Sequence, residues 1–203
     1  LWGAQLNDYQ SLDLFSAEVS HRAEARRFSD DPLFAYRLAD AVNRPLAATA
    51  SGQDWAFIKE NNLPGLVQGW IVLSYAAGHG LMAPNRQWCY TQQKGTHWYE
   101  GPKDKFAPLY QFVRQHAALF DDCRNYADLT VVYAQRTYDR EPQKIIGLCN
   151  KLAAANISYR LALGGDDIVD HRLPADDLRR ATRLLVIEPQ DLLPADRDLL
   201  GSV

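Results

Sequence analysis

The chain has 203 residues, a formal net charge of −3, 47% hydrophobic and 11% aromatic residues. That composition supports a sizeable buried core and argues against disorder, and the mild acidity gives no electrostatic case for nucleic acid as a partner. Three widely spaced cysteines, Cys89, Cys123 and Cys149, form neither a disulfide framework nor a metal-ligand spacing, and no apolar run is long enough to cross a bilayer.

Taken in order, residues 12–19 alternate polar and apolar and predict a strand, Leu12 to Val19, with Glu18 and His21 at its C-terminal end. Asp31-Pro32 reads as a helix start, opening a helix from Leu33 to Val42. Pro45 follows, then a second short strand from Leu46 to Ala50, which runs into Ser51-Gly52-Gln53-Asp54-Trp55. The next helix, Leu63 to Ala77, carries apolar residues around nearly its whole circumference and is expected to be buried. It leads to a third strand at Leu81–Ala83. A polar, aromatic loop comes after it, with Asn85, Arg86, Trp88 and Tyr90 first and His97, Trp98 and Tyr99 further on. A fourth helix is expected from Pro108 to Phe120.

The texture changes near Asp121–Tyr126. Strands at Ala127–Ala134, Ile157–Leu163 and Arg183–Glu188 alternate with helices at Pro142–Ala155 and Ala175–Ala181. Short apolar strands alternating with helices predict parallel sheets with right-handed crossovers. The expected organisation is two α/β regions, residues 1–122 and 123–203. Gly164-Gly165-Asp166-Asp167 follows a strand but lacks a glycine-rich phosphate cradle, and its acidic pair would repel phosphate. No cofactor and no metal are expected.

The runs RPLAATASGQDWAFI, GWIVLSYAAGHGLMAPNRQWCY and WYEGPKDKFAPLYQFVRQHAALFDD, leading into ADLTVVYAQ, carry a resemblance. In order and texture they resemble the last βα units of a TIM-type glycoside hydrolase barrel followed by the start of an open parallel flavodoxin-like sheet. That is the arrangement of the family 42 β-galactosidases and their relatives. The resemblance implies that the three strands are barrel strands six to eight, that the earlier strands lie outside this sequence, and that the second region is a truncated assembly domain mediating homo-oligomers. It implies a carboxylate pair for glycosidic bond hydrolysis and an oligo- or polysaccharide substrate. Asp54 stands where the family's strand-seven nucleophile would be a Glu, and Glu18 sits one strand earlier; the two are the candidate catalytic pair. Retaining enzymes hold such carboxyls about 5–5.5 Å apart, and inverting ones about 6.5–9.5 Å.

Around that pair, His21, Trp55, Asn85, Arg86, Trp88, His97, Trp98 and Tyr99 are candidate sugar-binding residues. Indole and phenol faces stack on the C–H face of a pyranose, and the amide and guanidinium reach hydroxyls. Each has a plainer role available: core packing for the aromatics, helix capping for the carboxylates, an orienting part for His21 and an ion pair for Arg86. The alternative expectation is a non-catalytic α/β protein that binds carbohydrate or mediates oligomers. The barrel expectation leaves strand Leu12–Val19 with an open edge and, with strands missing, predicts no turnover of aryl glycosides by this polypeptide. Membrane partners are not expected, and the sequence does not fix a compartment.

Overall fold

The computed structural model describes residues 12–27, 29, 31–89, 97–121, 125–166 and 171–203. The protein is mixed α/β with parallel sheets. It divides into two compact units, one of Leu14–Tyr36 with Pro45–Arg124 and one that includes Arg37–Arg44 and Asn125–Val203. The expected Tyr90, Cys123 and Asp167 positions lie outside the described residues.

The first unit is built on a parallel sheet in the order β1-β2-β3. Strand β1 (Phe15–Val19) pairs with β2 (Leu46–Ala50), and β2 with the short β3 (Gly80–Leu81). Strand β1 is shorter than the alternation predicts, because Leu12 and Leu14 lie exposed outside the ladder. The sheet has two unlike faces. Phe15, Ala17, Leu46, Ala48, Ala50 and Leu81 are buried, whereas Ser16, Glu18 and Met82 on the opposite face are exposed. Alternation is the strand period, so one face meets the helices and the other carries the polar set.

Helix α1 spans Asp31–Ala41, and Asp31, in its first turn, donates its backbone N–H to Ser29 Oγ at 3.2 Å. Residues 51–55, expected to end the second strand, instead open helix α2 (Gly52–Asn61). Ser51 and Asp54 close a capping box there, satisfying two backbone donors that a helix start leaves open. Helix α3 (Pro64–Ala76) buries Val67, Trp70, Ile71 and Ser74. After it, His79 is held at both ring nitrogens: Nδ1 accepts from Leu46 N at 3.2 Å, and Nε2 donates to Tyr36 O at 2.9 Å.

The aromatic loop after β3 contains an antiparallel pair, β4 (Gln87–Cys89) and β5 (His97–Tyr99). Helix α4 (Lys103–Gln115) begins five residues before Pro108 and ends earlier than predicted, so Pro108 lies inside it instead of starting it. Residues 117–119 continue as a 3-10 turn. Tyr110 of α4 secures the loop after β3, donating from its hydroxyl to Leu81 O at 2.6 Å and accepting from Ala83 N at 3.1 Å. Gly101 admits the same loop, since a Cβ there would stand 2.4 Å from Pro84 O and 3.1 Å from the Phe106 ring.

The second unit holds a parallel sheet in the order β7-β6-β8. Its strands are β6 (Leu129–Ala134), β7 (Tyr159–Gly164) and β8 (Arg183–Val186), with β6 central. A short helix α5 (Gln135–Arg140), not foreseen, precedes α6 (Pro142–Ala154); α7 (Ala175–Arg179) and α8 (Pro194–Leu200) follow. Val132, Ala134, Ala162, Leu173, Leu178 and Leu192 form the core. Past the ends of β6 and β8, Arg140 bonds both oxygens of Asp191, at 2.7 and 3.3 Å, and Thr137 Oγ1 donates to the same carboxylate at 2.8 Å. Lys144 and Gln190 both bond Glu188, which sits at φ 47°.

Candidate functional site

The two expected catalytic carboxylates sit in unlike settings, Asp54 buried and Glu18 exposed. Asp54, 2% exposed, is the third residue of α2 and its carboxylate is fully engaged. Oδ1 accepts from Ala23 N at 2.7 Å; Oδ2 accepts from His21 N at 2.9 Å, Ser51 Oγ at 2.7 Å and Ser51 N at 3.2 Å. It thus clamps the turn after β1 to the start of α2. That turn requires a clamp, because Arg22 and Arg26 both lie in the left-handed region at φ 48° and 51°. Both Asp54 oxygens thus already accept from the protein, which is the helix-capping role that stood as the plainer reading of this candidate catalytic carboxylate. Glu18 lies on the exposed face of β1, in register with Thr49 of β2.

His21 is fully buried. Its Nδ1 donates to Val19 O at 2.8 Å, and its ring tilts against Trp70 with centroids 4.6 Å apart. Burial holds its pKa below the ordinary value of 6.5, against the opposing pull of Asp54. The imidazole is thus a buried group packed in the core of the first unit. Trp55 is also fully buried, stacked on Tyr99 at 5.1 Å and edge-on to Trp70 at 5.8 Å. These rings make a continuous aromatic core beneath the β4–β5 pair. Burial, with a smaller push from Cys89, raises the Tyr99 phenol to about 12.

The strand pair separates the remaining candidates by face. Gln87 opposes Tyr99, Trp88 opposes Trp98, and Cys89 opposes His97. Cys89 and Tyr99 are buried, so that face packs inward, while Trp88 and Trp98 are 48% and 38% exposed. Two large indoles directly across a strand pair thus share one outward face. The Arg86 guanidinium lies 4.8 Å from the centre of the Trp98 ring, and its Nε is 3.9 Å from Glu100. Arg86 is therefore bound into the platform by a cation–π contact and an ion pair; it reaches neither Asp54 nor Glu18 through any contact seen here. Asn85 is exposed in the preceding loop. The His97 side chain lies outside the described residues.

Beside this platform is a cavity of about 480 Å³, lined by Ile58, Lys59, Asn62, Leu63, Pro64, Trp98, Tyr99, Glu100 and Pro102. Lys59, Asn62 and Glu100 are functional candidates that the sequence did not single out. Their signal is absent from the sequence because they come together only when the C-terminal end of α2 meets β5. Among the described residues, no group of three or more His, Cys, Asp or Glu side chains is placed to hold a metal ion.

The sequence matches no family model, and neither curated proteins nor solved structures provide a match.

Proposed function

We propose that this chain is the sugar-binding part of a carbohydrate-active, glycoside hydrolase-type protein, taking an oligo- or polysaccharide on the Trp88–Trp98 platform. The observation that carries the reading is the outward indole pair: two apolar, rigid, amphipathic surfaces held by a strand pair, with Arg86 fixed beside one of them. A pyranose buries its C–H face on such a ring while its hydroxyls stay at the wet rim, where Asn85, Arg86 and Glu100 have donors and acceptors.

The barrel interpretation belongs to the same proposal. Adjacent parallel β1, β2 and β3 in sequence order, with helices between them, are compatible with consecutive staves of a TIM-type barrel. The order β7-β6-β8 is compatible with the start of a flavodoxin-like sheet, proposed here as an assembly unit forming homo-oligomers.

A second reading, non-catalytic carbohydrate binding, is favoured by the hydrogen bonds that saturate Asp54. The two readings share the platform and differ in turnover. Isothermal titration of the chain with neutral oligosaccharides tests the platform: binding that disappears in Trp88→Ala and Trp98→Ala supports it, and binding unchanged by both substitutions refutes it. Hydrolysis of aryl glycosides by the chain would overturn the assignment to binding alone.

A further inference from the structure

The cavity next to the platform has a composition that the platform lacks. Its floor and one wall are apolar and aromatic: Ile58, Leu63, Pro64, Pro102 and the rings of Trp98 and Tyr99. Three polar residues, Lys59, Asn62 and Glu100, complete its lining. Its volume of about 480 Å³ lies within the roughly 300–1,000 Å³ of small-molecule sites. Two neighbouring features keep these walls in place. Asn62 ends α2 in the left-handed conformation, at φ 51°, with its N–H bonded back to Ile58 and Lys59 carbonyls. Arg86 packs over the Trp98 ring at 4.8 Å, and its Nε lies 3.9 Å from Glu100, the residue after β5.

The charge pattern narrows what ligand this cleft would take. A cationic ligand meets Lys59 and an anionic one meets Glu100, so either pays a like-charge penalty. A neutral ring with hydroxyls around its edge meets a donor, an acceptor and an amide that is both.

We propose that this cavity is a discrete subsite for one neutral pyranose unit, with Trp98 as its stacking wall and Lys59, Asn62 and Glu100 as hydroxyl partners. The proposal rests on the carbohydrate-binding reading above and adds a second position, an open cleft at the end of α2 whose lining includes neither Glu18 nor Asp54. Trp98 is shared by both positions; Trp88 belongs to the platform alone, and Lys59 and Asn62 to the cavity alone.

The test uses saturation-transfer NMR and calorimetric titration of the whole chain with methyl β-glucopyranoside, methyl β-galactopyranoside and methyl α-mannopyranoside, with glucuronate and glucosamine as charged comparators. The variants are Lys59→Ala, Asn62→Gly, which keeps the left-handed backbone unstrained, and Trp88→Ala, each checked for folding by circular dichroism. The expected result is binding of at least one neutral glycoside, weakened about tenfold by Lys59→Ala or Asn62→Gly, as loss of one good hydrogen bond implies, and nearly unchanged in Trp88→Ala. Binding lost in Trp88→Ala but kept in both cavity variants overturns the subsite and leaves the platform reading standing. Preference for glucuronate or glucosamine overturns the neutral assignment. No binding of any neutral glycoside or oligosaccharide overturns both.

Discussion

Replacing Asp54 separates a structural carboxylate from a chemical one. Its oxygens accept from His21 N, Ala23 N, Ser51 N and Ser51 Oγ, and His21 and Ala23 are both fully buried. Asp54→Ala leaves at least two buried N–H groups without acceptors, at about 1–3 kcal/mol each, and removes half of the capping box. The expected loss is roughly 3–5 kcal/mol, a large share of the ~5–15 kcal/mol that holds a typical domain. Asp54→Asn keeps one acceptor oxygen but turns an N–H₂ toward the donors, so about 1–3 kcal/mol is expected. Of the five tryptophans, Trp55, Trp70, Trp88 and Trp98 all lie in the first unit, so tryptophan fluorescence in a urea titration follows that unit. The transition midpoint falls in the order wild type, Asn, Ala. An Asp54→Ala protein that unfolds at the wild-type midpoint would refute the clamp and restore Asp54 as a free carboxylate.

Three further outcomes are expected. His21 is held neutral by burial, so the unfolded chain takes up a proton near pH 6.5 while the folded one does so only at lower pH. Stability is therefore retained above that point and lost as pH falls below it. His21→Phe flattens this slope in a series of melts between about pH 5 and 8, leaving the contribution of His171, whose pKa burial also lowers; an unchanged slope would contradict the account. Gly101→Ala drives a Cβ to 2.4 Å from Pro84 O, and thermal melts are expected to show about 1–3 kcal/mol of destabilisation. Trp98→Ala weakens oligosaccharide binding more than Trp88→Ala does, because Trp98 also walls the cavity; equal losses would argue for the platform alone.

The regular parts of this fold could be read from the chain because their signals are local. The run Leu46–Ala50 is a strand as expected, and Leu63–Ala77 differs from α3 by one residue at each end. Ser51 to Asn61 was missed because Ser51-Gly52-Gln53 reads as a loop by composition, while the capping box that makes it a helix start depends on two side chains three residues apart. Pro108 misled in the opposite direction. Proline commonly opens helices, yet here Pro102 and Lys103 begin the turn and the helix tolerates the later ring. For the site, the aromatic residues near 88 and 98 could be picked out by type, whereas their pairing across β4 and β5 could not. Trp55 and His21 share the chemistry of the exposed candidates, and only burial separates core from surface.

The Tyr110 hydroxyl has an effect beyond holding a loop. Strand β3 turns Gly80 and Met82 toward β2, so Leu81 O and Ala83 N point the other way, off the outer margin of the sheet. A single phenolic oxygen occupies both, donating to one and accepting from the other, as a neighbouring strand's backbone would. The margin is thereby closed without a further strand. Tyr110→Phe would open a ready-made template for intermolecular β-addition, visible as concentration-dependent self-association in a protein whose fold is otherwise intact.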